Sequence, residues 1–168
     1  MKNTLYTISL LITLSIVACN SPKETASLKN EHQTSSQDSS SIVNWTLVDQ
    51  GKMYGAGDEG IEAGYHVIQD KATMQQLLKK MQVSERLKTP EDESFFDDYM
   101  LLFLFDKVRN TGGYHFHTKK ITKSAQQVTV HTTSEAPSAN APSVMTQPFL
   151  IIQIDQSSLP IHYLPSEK

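Results

Sequence analysis

Two apolar runs dominate the pattern of hydrophobic and polar positions along the chain. They are Met100 to Phe105 (MLLFLF), which is uninterrupted, and Phe149 to Ile154 (FLIIQI). The first run is too short to span a bilayer. A strand with one solvated face would alternate between apolar and polar residues, so the first run predicts a strand that is buried on both faces, and the second predicts another interior strand. These strands are expected to form the interior of the domain.

An alternating segment follows the first apolar run. Tyr114, Phe116 and Thr118 alternate with polar residues, which predicts a half-buried strand. The residues from Asn110 to Gly113 end in two glycines and favour a turn, because glycine takes positive φ without steric cost. The run Met100 to Phe105, the turn and the alternating strand are therefore expected to form a central hairpin.

A helix is predicted where the apolar spacing changes to the helical period. Thr73 and Gln76 match a capping box, which places the expected N-cap at Thr73. Lys79 and Lys80 suit the C-terminal end of the helix dipole. The i, i+3, i+4, i+7 spacing of one buried stripe is met by Met74, Leu77, Leu78 and Met81.

Weaker strand patterns complete the expected sheet. They lie at Trp45 to Val48, Ile61 to Gln69, Val128 to Val130 and Leu159 to Tyr163, with the last at an edge, where its proline is tolerated. Several strands with one amphipathic helix in the N-terminal half predict an α+β fold. We expect a mostly antiparallel β-sheet in a single compact domain.

The first 18 residues have the pattern of a lipoprotein signal peptide. Lys2 precedes an apolar segment, Leu5 to Val17, that is too short to span a membrane. The residues before Cys19 resemble the lipobox of bacterial lipoproteins, and this resemblance implies cleavage before Cys19, acylation with fatty acids such as palmitate, and a membrane anchor. The alternative is a plain secretory leader in which Cys19 has no role.

Residues 19–42 are expected to form a disordered tether after the lipidated cysteine. Serine, threonine, glutamine and lysine dominate this stretch, and it contains too few apolar side chains to build a core. The folded domain is then residues 43–168. Asn20 stands where an aspartate would signal retention at the inner membrane, so we expect the bacterial outer membrane rather than the inner one.

Charge and residue types limit the function classes. A net charge of -3 argues against nucleic-acid binding. His115 and His117 share one strand face and His131 lies on the returning strand, but no cysteine or acidic cluster completes a metal site, so we predict no metal and no cofactor. Neighbouring Asp97 and Asp98 point to opposite faces, and no nucleophile motif is present, so no catalytic residue is predicted and the protein is not expected to be an enzyme.

An ordered set of short motifs resembles the PrcB family. The set includes Thr111-Gly112-Gly113-Tyr114 after the first apolar strand and Thr146-Gln147-Pro148-Phe149 at the start of the second. The resemblance covers most of Val43 to Tyr163. It implies a small lipoprotein of the kind that supports the assembly or stability of a surface protease complex, and it supplies no catalytic residues.

The expected function is therefore that of a cell-envelope lipoprotein whose domain binds a protein partner, with a protease as the candidate. Two alternatives stay open: an inhibitor whose Gly-Gly-Tyr loop enters a protease cleft, and an envelope protein that binds a small molecule or a metal. The candidate partner-binding residues are small, proline or aromatic residues of the two motifs. They are Thr111, Gly112, Gly113, Tyr114, Gln147, Pro148 and Phe149.

Overall fold

A computed structural model describes residues 40–83, 87–138 and 140–168. The predicted signal peptide, the Cys19 lipidation site and residues 19–39 of the predicted tether lie outside these residues. The described residues form eight strands and two helices. In chain order these are β1 Ser41–Ile42, β2 Thr46–Met53, β3 Gly64–Ile68, α1 Lys71–Met81, α2 Phe95–Asp98, β4 Tyr99–Phe105, β5 His115–Lys123, β6 Val128–Glu135, β7 Gln147–Asp155 and β8 Ile161–Glu167.

The strands form two four-stranded sheets that pack face to face. We call β2-β7-β4-β3 the inner sheet, because both of its faces are covered, and β1-β5-β6-β8 the outer sheet, because one of its faces is exposed. Neighbouring strands are antiparallel everywhere except between β6 and β8, which run parallel. The predicted α+β class with a mostly antiparallel sheet is confirmed.

Strand β4 lies at the centre of the molecule, with all six apolar residues of its run 0% exposed. Leu101, Phe103 and Phe105 belong to a buried cluster with the apolar stripe of α1. The alternate residues, from Met100 to Leu104, belong to a second cluster with Phe116, Ile121 and other apolar residues of the outer sheet. The prediction of a strand buried on both faces is therefore confirmed, and β7 lies beside β4 in the same arrangement.

The predicted central hairpin is wrong. Strand β4 pairs with β3 and β7, which occupy both of its edges, and β5 belongs to the outer sheet. The segment from Asp106 to Tyr114 crosses from one sheet to the other instead of turning back beside β4. The actual hairpin joins β5 to β6 through a turn in which the N–H of Ser124 donates to the Gln127 carbonyl at 2.9 Å.

Helix α1 covers one face of the inner sheet through the predicted stripe, whose four residues are all buried. Its N-cap is Asp70, not Thr73 as predicted. The Asp70 carboxylate accepts hydrogen bonds from the Thr73 N–H at 2.7 Å and from its hydroxyl at 2.8 Å, so Thr73 lies one turn inside the helix. Among the described residues, no helix is long and apolar enough to cross a membrane.

The two sheets meet differently at their two sides. At one side, Tyr65 of β3 joins β8, with its ring 5.8 Å from that of Tyr163 and its hydroxyl donating to the Ile161 carbonyl at 2.9 Å. At the other side lie the outer edges of β2 and β5. Strand β1 pairs only with Thr122 and Lys123, so within the described residues β5 has no strand beside it from His115 to Lys120.

Candidate partner-binding site

A buried ion pair organises the segment that crosses between the sheets. Asp106 follows β4 directly and lies against Arg109, whose side chain donates to both carboxylate oxygens at 2.9 Å. The Ser134 hydroxyl donates to Asp106 Oδ2 at 2.6 Å, and the Lys107 N–H donates to Oδ1 at 2.8 Å. A buried carboxylate is tolerated when its lone pairs are met in this way. The pair therefore fixes the path of the crossing segment.

Arg109 extends this network toward the surface. Its guanidinium lies over the Tyr114 ring, 4.3 Å from the centroid, in a cation–π contact. The same group lies 3.3 Å from the Glu167 carboxylate of β8, which also pairs with Lys107 at 2.8 Å. The hydrogen bond from Lys107 and the charge of Arg109 hold the pKa of Glu167 below its usual range. Tyr114 is thus held in place by a side chain that is itself fixed in the interior.

The two glycines of the turn pack against the loop that precedes β7. The Gly112 N–H donates to the Pro142 carbonyl at 2.9 Å. Gly113 has φ +83°, and a Cβ at this position would lie 2.9 Å from the Cβ of Pro137, so a larger residue is excluded by both backbone and space. The turn and the loop that precedes β7 therefore form one unit.

The second motif reaches the same unit from β7. Thr146 and Arg109 exchange backbone hydrogen bonds at 2.7 and 3.0 Å. Gln147 is 2% exposed, and its Nε2 donates to the carbonyls of Ile61 and Asp106 at 2.9 and 3.0 Å. Gln147 thus ties together three segments of backbone and presents no atom to a partner.

A groove of about 280 Å³ opens beside Tyr114, between the outer edges of β2 and β5. Of the seven predicted partner-binding residues, Gly113, Tyr114, Pro148 and Phe149 line it. Thr111, Gly112 and Gln147 do not, and Gly112 and Gln147 are buried supports. The remaining lining includes Gly51 of β2, where an added Cβ would lie 2.8 Å from the tip of the Phe149 ring. The groove therefore depends on the absence of a side chain at Gly51.

Sequence reasoning missed the residues that support this groove. The local sequence pattern predicts no role for Asp106, Arg109 or Ser134. The available signal was an Asp-x-x-Arg spacing directly after a strand buried on both faces, where a charged pair has to find an internal partner. The local sequence around Gly51 did not indicate its role, because Phe149, whose ring packs over Gly51, lies almost 100 positions later in the chain.

The histidines considered for metal binding lie on the outer sheet, and of the three only His115 lines the groove. The rings of His115 and His117 are 5.0 Å apart, whereas His131 pairs across the ladder with Lys120. Among the described residues, no group of three or more histidine, cysteine, aspartate or glutamate side chains could hold a metal ion.

Residues 100–155 match the family model described as PrcB C-terminal. This segment is similar to the PrcB C-terminal family. The PrcB match spans β4, the crossing segment, β5, β6 and β7, so it contains the buried ion pair, the Thr-Gly-Gly-Tyr turn and the Gln-Pro-Phe segment. It covers a third of the 168-residue chain and confirms the resemblance seen in the sequence. No curated protein and no solved structure matches the chain significantly.

Proposed function

We propose that this protein is a lipid-anchored component of the bacterial cell envelope whose domain binds a protein partner without catalysing a reaction. The partner is a protease or another subunit of a protease complex, as the PrcB resemblance implies. The single observation that carries the proposal is the groove beside Tyr114. Two motifs separated by more than thirty residues in the sequence, both within the PrcB match, meet there.

The geometry of the turn favours a docking groove over an inhibitory loop. A loop that enters a protease cleft has to present an extended, accessible backbone. Here Gly112 is buried against Pro142 and Val144, and Tyr114 is half-buried against Arg109. The crossing segment is therefore suited to receive a partner's side chain or strand.

The buried polar groups favour a structural role over catalysis. Asp106, Arg109 and Ser134 direct their polar atoms at one another. Because the Asp106 carboxylate and the Ser134 hydroxyl are both engaged in these hydrogen bonds, the network is suited to hold the groove in shape. The proposal that the domain catalyses no reaction rests on this arrangement.

The anchor and location are part of the same proposal. Acylation of Cys19 would hold the domain at the outer membrane through the predicted tether that precedes β1, within reach of a surface protease. Incorporation of labelled palmitate into the native chain, but not into a Cys19→Ala variant, is the expected result. A variant that remains in the membrane fraction after the sulfur is removed would contradict the anchor.

Partner binding is tested by crosslinking in intact cells, followed by purification of the full chain and mass spectrometry. We expect a protease or a protease subunit to be recovered with the native chain and to be depleted several-fold with Tyr114→Ala. Tyr54→Ala is the matched control, because Tyr54 is 63% exposed and lies on the helix side of β2, beside Val83 and Leu87. Equal recovery from Tyr114→Ala and Tyr54→Ala would exclude the groove as the binding site.

A proteolysis assay separates binding from inhibition. Adding the native chain to the recovered protease should leave its initial rate unchanged or should prolong its activity. An immediate loss of rate that Tyr114→Ala abolishes would favour the inhibitor instead.

A further inference from the structure

The exposed face of the outer sheet concentrates groups that carry positive charge. Four of the six histidines lie on β5, β6 and β8, and their neighbours across the ladder place them on one surface. Lys120 of β5 lies opposite His131 of β6. Thr129 of β6 lies between Thr122 of β5 and His162 of β8. The four histidines are His115, His117, His131 and His162.

A β-bulge in β5 doubles the lysine density of this face. Thr118 and Ile121 both point into the buried interface, at 9% and 0% exposure, yet two residues separate them. The register shifts at this point, so Lys119 and Lys120 both project outward. Lys119 Nζ reaches across the sheet to the Ser166 hydroxyl of β8 at 3.3 Å. A regular strand would have turned one of these lysines toward the core.

Little negative charge balances these groups. Glu135 is the acidic residue on the face, and it pairs with Lys168 at 3.2 Å. The pKa of His131 is lowered by its partial burial and then by the charges of Lys120, His162 and Lys119, which face it from β5 and β8. The face is thus cationic although the whole chain carries a net charge of -3.

The same face ends at the free edge of β5. From His115 to Lys120 this edge has no neighbouring strand among the described residues, so its backbone groups are available for pairing. An extended segment added there would form backbone hydrogen bonds and would place alternate side chains beside the lysines and histidines.

We propose that the exposed face of the outer sheet and the free edge of β5 bind an acidic, extended segment of a partner protein. The positive charge of the face favours acidic side chains in the partner, and the free edge of β5 favours a partner segment with an extended backbone. A lipid surface fits less well, because membrane-binding faces carry several large apolar groups, whereas the large apolar side chains exposed on the described part of this face are Ile42, at its β1 edge, and Leu164. This surface adjoins the groove proposed above at His115 and Phe116, whereas its lysines, His131 and His162 lie outside the groove lining.

The probe is a fluorescent peptide of alternating threonine and glutamate, with a threonine–glutamine peptide as its control. Alternation places all the glutamates on one face of a strand. Anisotropy is measured with the full chain carrying Cys19→Ala, so that acyl chains do not contribute. We expect the glutamate peptide to bind, and its affinity to rise about tenfold between pH 7.5 and 5.5, because a bound anion favours protonated histidine while glutamate stays ionised.

The lysines are tested by the double variant Lys119→Gln and Lys120→Gln. At pH 7.5 it should weaken binding about tenfold, and added salt should weaken binding by the native chain. The matched control replaces Lys79 and Lys80, an adjacent pair in the last turn of α1, by glutamine and should change affinity less than about twofold.

Three outcomes would overturn the proposal. The first is equal binding of the glutamate and glutamine peptides. The second is an equal loss from the two lysine double variants. The third is absence of peptide binding together with binding to phosphatidylglycerol vesicles that requires Lys119 and Lys120, which would assign the face to a membrane instead.

Discussion

The inner and outer sheets have the same number of strands but opposite relations to solvent. The inner sheet is covered by α1 on one face and by the outer sheet on the other, so β4 and β7 are apolar at almost every position. The outer sheet is covered on one face, and β5 alternates between buried residues and exposed histidines and lysines. The inner sheet is specified by burial, whereas the exposed face of the outer sheet is left free to carry charge.

This difference separates stability from recognition. Replacements in the inner sheet should change the free energy of unfolding, because they remove packed atoms. Replacements on the exposed face of the outer sheet should change binding instead. The crossing segment, which runs from β4 to β5, should affect both.

The largest expected effect is in β4. Phe103→Ala removes a ring that is 0% exposed and should lower the free energy of unfolding by about 4 kcal/mol. Thr129→Ala, on the exposed face of β6, is the comparison and should change it by less than about 0.5 kcal/mol. Urea unfolding followed by the fluorescence of Trp45 measures both. Similar losses in the two variants would remove the contrast between the sheets.

The second effect is in the crossing segment. Arg109→Met leaves the Asp106 carboxylate buried without its counter-charge and should cost about 3 kcal/mol. Adding Asp106→Leu should recover part of this loss, because no buried charge then remains. Lys107→Met is the control, since the Lys107–Glu167 pair is more than half exposed and should change the stability far less than Arg109→Met does. A double variant less stable than Arg109→Met would contradict the role assigned to the pair.

A smaller effect is expected where α1 begins to cover the inner sheet. The hydrogen bonds from Thr73 lower the pKa of Asp70 from its ordinary 3.8, so the contribution of this cap is present above that pH and is lost as pH falls through the lowered value. Asp70→Ala should lower the melting temperature by a few degrees at pH 7. Asp70→Asn should keep the cap but lose this pH dependence, which thermal unfolding between pH 2 and 5 would detect.

The smallest effect is at His131 of the outer sheet. The pKa of His131 in the folded chain lies below 6.5, so the unfolded chain takes up the proton first as pH falls, and this residue then destabilises the fold. His131→Gln should change stability by less than about 0.5 kcal/mol at pH 7.5 and should slightly favour the variant at pH 5. A large loss at pH 7.5 would mean that the exposed face also supports the fold.

The sequence predicted whatever depends on local pattern. The apolar runs identified β4 and β7 because neither run alternates between apolar and polar residues, as a strand with one solvated face would. The stripe of α1 was predicted for the same reason. The prediction of Thr73 as the N-cap was wrong because Asp70 and Thr73 are both good capping residues. Only the backbone conformation shows that Asp70 is the N-cap.

Long-range pairing was beyond the local pattern. The apolar run and the Gly-Gly turn suggested a hairpin, but the sheet to which a strand belongs is set by partners elsewhere in the chain. Strand β4 receives β7 at one edge, and Phe105 pairs with Phe149. The candidate site was predicted in part, since four of seven residues line the groove, whereas Arg109, Gly51 and the bulge at Lys119 and Lys120 required the fold.

The pairing of β2 with β7 has a consequence for how the chain acquires its fold. Thr46 lies opposite Gln153, and in the described residues β2 has no other strand to pair with. A nascent chain that ends before β7 can neither complete the inner sheet nor bury β4. Folding therefore waits until most of the polypeptide has been synthesised, and contacts of such large sequence separation make it slow.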